Sequence, residues 1–145
     1  MTGHLHYEDV SEGTPLPTLR KDPTARQLVM YAGASGDFYE VHYDKDFALA
    51  RGLPAVLVHG ALKSAFLGQL VTDWIGAEGT LRKLSARYTE MDAPGSPLYA
   101  KGIVVKKSVQ DGQRLVECEV WIENSRGEKT SSGRAVVSLP SRHDP

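Results

Sequence analysis

At 145 residues, the chain is the size of one compact domain, expected over 1–145 with an ordered core from about 15 to 140 between short polar termini. Its 17 Lys and Arg nearly cancel its 18 Asp and Glu, and no basic stripe alternates with aromatics, which excludes nucleic acid as an expected partner. The start Met1-Thr2-Gly3-His4-Leu5-His6 has no charged-then-apolar signal pattern and no run reaches the roughly 18 apolar residues of a membrane span, so we expect a soluble, cytoplasmic protein with no membrane partner.

After a polar leader through Thr14, the apolar piece from Leu16 to Leu19 predicts a first strand, ended by Asp22-Pro23-Thr24. Thr24 followed three residues later by Gln27 is a capping box, opening a short helix with Leu28, Val29, Tyr31 and Ala32 as its apolar surface. Gly33 or Gly36 should stop it. Asp44 caps a second short helix, Lys45 to Arg51, closed by Gly52 and stopped by Pro54. The run from Gly60 to Trp74 has no Pro, ends at Gly76, and is apolar on nearly all sides through Leu62, Ala65, Phe66, Leu67, Leu70, Val71 and Trp74. Such a helix is buried along most of its length.

Strands are predicted next at Thr80 to Met91, Leu98 to Lys107, Leu115 to Glu123 and Thr130 to Leu139. Turn signals separate them at Ala93-Pro94-Gly95, Gln110-Asp111-Gly112 and Asn124-Ser125-Arg126-Gly127. Val116, Cys118, Val120 and Ile122 alternate with Glu117, Glu119, Trp121 and Glu123, the period-two pattern of a sheet with one buried face. Cys118 is the only cysteine, so it forms no internal disulfide, and an inward-pointing thiol is inert. Ser141 to Pro145 reads as a frayed tail. The fold class is α+β, an antiparallel sheet wrapped around one long apolar helix.

The chemistry concentrates in two places. Asp37 and His42 stand five residues apart in a loop whose ends are fixed by the two short helices. An imidazole, which ordinarily titrates near 6.5, serves as a base at neutral pH, and a carboxylate sharing one water with it orients that water. Seventeen residues after His42, His59-Gly60 opens the long helix, whose free N–H groups can hold a developing oxyanion. Each residue also has a plainer role open to it. Asp37 and His42 are turn formers, His59 can cap the helix or bond within the core, and Gly60 can serve close packing alone. Ser64 and Gly68 share one helix face, leaving room for a ligand or for a neighbouring strand.

Tyr31-Ala32-Gly33-Ala34-Ser35-Gly36-Asp37-Phe38 through Val41-His42-Tyr43-Asp44, followed by Gly52-Leu53-Pro54 and Val58-His59-Gly60-Ala61-Leu62, resembles the MaoC-like hydratase/dehydratase family. Its members are hotdog-fold (R)-specific enoyl-CoA hydratases and 3-hydroxyacyl-thioester dehydratases. The resemblance covers roughly residues 20 to 140 and implies a hotdog fold. It also implies Asp37 and His42 as the catalytic pair, with Gly60 as the backbone N–H donor. Tyr39, His59, Ala61 and Ser64 become candidate substrate contacts. The implied partners are an acyl-CoA or acyl carrier protein thioester as substrate and a second hotdog chain, as homodimer or hetero-oligomer. No metal and no cofactor is assigned.

The family pattern Asp-x-Asn-Pro-x-His is altered here, with Tyr39-Glu40 standing for Asn-Pro. That removes the backbone constraint of Pro and the turn-bonding side chain of Asn; Glu40 is expected to face solvent. The expected activity is reversible hydration of an enoyl thioester. The alternative is an acyl-binding or stabilising subunit of a hetero-oligomeric dehydratase. A hotdog thioesterase is disfavoured, because Ala61 to Gln69 carries no carboxylate.

Overall fold

A computed structural model describes residues 4 to 144. Its order is β1 (Leu19–Lys21), α1 (Ala25–Ser35), α2 (Lys45–Ala50), α3 (Gly60–Ile75), β2 (Thr80–Tyr88), β3 (Leu98–Gln110), β4 (Gln113–Glu123) and β5 (Lys129–Ser138). The strands form one antiparallel sheet in the order β1-β3-β4-β5-β2, and α3 packs on it in a hotdog fold. The last three strands are consecutive meanders, whereas β2 crosses to the far edge and pairs with β5.

Local signals mark the helix ends. The Thr24 side chain accepts from the Gln27 N–H at 3.1 Å, and Gly36, left-handed at φ 76°, closes α1. The Asp44 carboxylate accepts from the Phe47 N–H at 3.0 Å to open α2, which ends one residue short of the expected Arg51. Of the strand expected from Leu16 to Leu19 only Leu19 lies in β1, paired with Ala100, and just before it Pro15 makes an isolated bridge to Ile103. Pro15 and Pro17 have no N–H to give the ladder. β2 stops at Tyr88 rather than Met91, because the N–H groups of Thr89 and Glu90 both turn onto the Thr130 carbonyl, at 3.1 and 3.2 Å.

α3 is buried on one face only. Leu62, Phe66, Leu67, Leu70, Val71 and Ile75 pack against the sheet, while Ala61, Ala65, Gln69 and Asp73 are exposed and Trp74 is half-buried. Burial does run along most of the helix, from Leu62 to Ile75, but on one side of it. One sheet covers one side of a helix, and alanine tolerates water on the other. The inward residues of β4, Val116, Cys118, Val120 and Ile122, meet Ala135 and Val137 of β5 in the same core. Burial pushes the Cys118 thiol up to about 12.

The tail expected to fray is tied down as far as it is described. The Ser141 hydroxyl donates to Glu8, Arg142 pairs with Asp9, and Asp144 pairs with Arg114. In the leader, the Tyr7 N–H donates to the Pro140 carbonyl at 2.9 Å and Val10 is buried. An acidic turn and the tail, over 130 residues apart, meet through a hydroxyl hydrogen bond and an ion pair, a pairing that no local pattern exposes. Pro145 lies outside the described residues. Among those described, no helix is long and apolar enough to cross a membrane.

Candidate active site

Asp37 follows directly on the Gly36 stop of α1, and His42 ends a single 3-10 turn, Glu40–His42, that leads into the Asp44 cap of α2. Local bonds stabilise the loop without the Asn-Pro pair. The Asp37 N–H donates to Ser35 Oγ at 3.2 Å, the Tyr39 N–H to Asp37 Oδ1 at 3.4 Å, and the Tyr43 hydroxyl to the Phe38 carbonyl at 2.8 Å. Glu40 is exposed.

His42 Nδ1 lies 2.8 Å from the Leu57 carbonyl oxygen. A carbonyl only accepts, so Nδ1 carries the proton and the neutral ring presents its Nε2 lone pair. That Nε2 stands 3.7 Å from Asp37 Oδ2, too far for a direct hydrogen bond and close enough for one water to reach both. The Asp37 side chain is 46% exposed and that of His42 12%, so the pair faces solvent from the carboxylate side.

His59 lies behind this pair, fully buried. Its ring stacks on His42 at 3.8 Å between centroids and 18° between planes, and Tyr31 meets it edge-on at 4.7 Å. Neither ring nitrogen has a hydrogen-bond partner, and the side chain does not cap α3. Burial first, then the neighbouring His42, push its pKa below the usual imidazole range, against a smaller opposing pull from Asp37. His59 is therefore a neutral packing partner of His42. Asp37, His42 and His59 each place one possible ligand atom within 4.8 Å of the others, but nearly parallel stacked rings aim their in-plane lone pairs side by side. A common ion would require His59 to turn.

Gly60 begins α3, and the segment before it is strapped on two sides. The Leu57 N–H donates to the Val41 carbonyl at 2.9 Å and the Val58 N–H to the Asp92 carbonyl at 2.8 Å. One turn along, Lys63 is 2% exposed. Its Nζ donates to Asp92 Oδ2 and the Glu90 carbonyl, both at 2.9 Å, and to the Thr130 carbonyl at 3.4 Å. Ala61 is exposed beside Gly60. Ser64 Oγ is 2.6 Å from the Tyr88 hydroxyl, and Leu84 stands 3.7 Å from where a Cβ on Gly68 would lie. The small-residue face thus receives side chains of β2. Tyr39, half-exposed, sets its ring edge-on to His42 at 6.1 Å and to Phe47 at 6.0 Å.

Asp37, His42, Tyr39, His59 and Gly60 come together; Tyr31, Leu57, Lys63, Tyr88 and Asp92 were not anticipated. Only Lys63 left a trace in the pattern, a lysine four and seven residues before Leu67 and Leu70 on the buried face. A groove of about 430 Å³ on the outer face of the sheet, lined by Arg87, Trp121, Lys129 and Arg134 among others, shares no residue with this cluster.

Residues 8–125 match the family model described as MaoC like domain. The chain belongs to the MaoC-like family. This MaoC-like chain is 31% identical over 136 residues, 90% of its length and 95% of the relative's, to the 3-oxo-4,17-pregnadiene-20-carboxyl-CoA hydratase beta subunit of Mycobacterium tuberculosis. Among solved structures it is similar to the ChsH1-ChsH2 complex from the same organism, with 26% identity, TM-score 0.78 and coverage of 89% of this chain and 98% of that one. It is also similar to the (R)-hydratase from A. caviae involved in PHA biosynthesis, with 25% identity, TM-score 0.80 and coverage of 92% and 99%. Membership carries hydro-lyase chemistry at the general level.

Proposed function

We propose that this MaoC-like chain reversibly hydrates a trans-2-enoyl thioester, carried on CoA or acyl carrier protein, to the (R)-3-hydroxyacyl thioester. The observation that carries the reading is His42 Nε2, left as a lone pair by the Leu57 carbonyl and set 3.7 Å from Asp37 Oδ2. A water between them gives one proton to Nε2 while the Asp37 carboxylate holds its other hydrogen. The water oxygen bonds to C3 of the enoyl group, the double-bond electrons move to C2 and the thioester oxygen, and the Gly60 N–H faces that charge. Return of one proton to C2 completes addition of one water, and dehydration is the reverse. Positioned acid or base groups contribute about 10²–10⁴-fold and an oxyanion donor about 10²–10³-fold.

Tyr39 sets its ring beside His42 and Ala61 is exposed next to Gly60, where each can meet substrate, and His59 acts on substrate only through His42.

A second reading is supported by one observation: a relative that matches most of the chain is named a beta subunit. In that reading the chain binds acyl groups or stabilises a second hotdog subunit with little turnover alone. Loss of enoyl absorbance with crotonyl-CoA and longer trans-2-enoyl-CoAs, beside Asp37→Asn and His42→Ala, separates the two. Turnover that falls at least about 100-fold in both variants supports the enzyme, and a folded but inactive wild type refutes it in favour of the subunit.

A further inference from the structure

The face of α3 that carries Gly60 and Ser64 is covered at its start by one side chain of β2. An α-carbon at Gly60 bearing a Cβ would place it 2.7, 2.9 and 3.1 Å from three ring carbons of Tyr88, so the ring uses the space that glycine leaves. Helical Cβ positions tilt toward the N-terminus, which puts the ring beside the free Gly60 amide. An oxygen bound to that N–H at about 2.9 Å therefore lies against Tyr88.

The Tyr88 backbone is fixed by the ladder, whereas its ring is held by side-chain contacts alone, Lys63 Nζ 5.9 Å over its face among them. Tyr88 pairs with Ser131, and the next two residues are tied to Thr130. The ring is 49% exposed, and its hydroxyl is held by Ser64 alone, at 2.6 Å. Breaking one hydroxyl pair at a half-exposed site costs little, because water replaces it.

We propose that Tyr88, latched to Ser64 across Gly60, is a specificity-determining residue that sets how long an acyl chain the site accepts. With the latch closed, the ring stops an acyl chain at the first turn of α3. A longer chain continues past Ser64 only when the ring swings out. The proposal rests on the acyl-thioester reading above.

The test is isothermal titration of the full chain with butyryl-CoA and decanoyl-CoA, saturated probes that do not react, for wild type, Tyr88→Phe and Tyr88→Ala. Tyr88→Ala is expected to lower the ratio of decanoyl to butyryl Kd about tenfold, the burial of about two additional methylenes. Tyr88→Phe, which loses only the latch, is expected to lower it about threefold by the same conversion. Should Tyr88→Ala fail to fold, Tyr88→Phe decides alone. A ratio within twofold of wild type in every folded variant overturns the role of Tyr88 and leaves the acyl-thioester reading standing. A wild type that binds neither probe overturns that reading and this proposal with it.

Discussion

Lys63→Met tests the anchor beneath the α3 N-terminus. The wild-type ammonium is 2% exposed and satisfies three oxygens, on Asp92, Glu90 and Thr130. Methionine fills similar volume, so the loss is electrostatic: a carboxylate on Asp92, itself 6% exposed, is left buried without its cation. Breaking a buried pair from one side costs about 3–5 kcal/mol, a large share of the roughly 5–15 kcal/mol that holds a domain folded. For a chain of this size each kcal/mol lowers Tm by about 2–4 °C, giving an expected drop of roughly 6–20 °C. Lys63→Met combined with Asp92→Leu removes both charges and should recover part of the loss, though the Glu90 carbonyl loses its partner while that of Thr130 keeps the N–H groups of Thr89 and Glu90. Urea unfolding of the four species at neutral pH reads the cycle. A Lys63→Met cost below about 1 kcal/mol, or a double variant no better than the single, refutes the argument. The same strap fixes Val58 through the Asp92 carbonyl, so a folded Lys63→Met should also hydrate more slowly.

Three further outcomes follow from contacts at the site and in the core. Gly60→Ala should push the Tyr88 ring off Ser64 and cost about 1 kcal/mol or less, and the same change in a Tyr88→Ala background should cost less still, a non-additivity read by thermal unfolding. His59 has a depressed pKa in the folded state, so its contribution is fully present above the ordinary imidazole pKa and is lost as pH falls below it. Stability should decline from about pH 6.5 downward, by at most about 1.4 kcal/mol per pH unit from this group, and His59→Phe should flatten that slope; an unchanged slope counts against a buried neutral His59. The Cys118 thiol, pushed up to about 12 by burial, should stay unreactive toward a disulfide reagent at pH 8 until denaturant is added, whereas prompt native reaction contradicts its placement.

Much of the molecule was legible because its signals are local. Thr24, Gly36 and Asp44 set helix ends through bonds or backbone angles spanning a few residues, and the alternation in β4 shows its buried face directly. Asp37 and His42 could be paired for the same reason, being five residues apart between two capped helices. The first strand begins later than its apolar run because Pro17 withholds a ladder donor, and the tail is ordered by partners at the other end of the chain.

What the sequence by itself determined is the set of elements, the closeness of Asp37 to His42 and the glycine that opens the long helix, since each depends on neighbours within a turn or two. Tertiary structure alone decided what surrounds them. The sheet order carried β2 to the far edge and brought Tyr88 onto Gly60, 28 residues away in the chain. It joined Lys63 to Asp92 across 29 residues, stacked His59 on His42, and aimed the Leu57 carbonyl so that His42 keeps its proton on Nδ1. These contacts arise only when the chain folds back on itself. Burial and shape select them, and no periodicity along the sequence encodes which distant residue arrives.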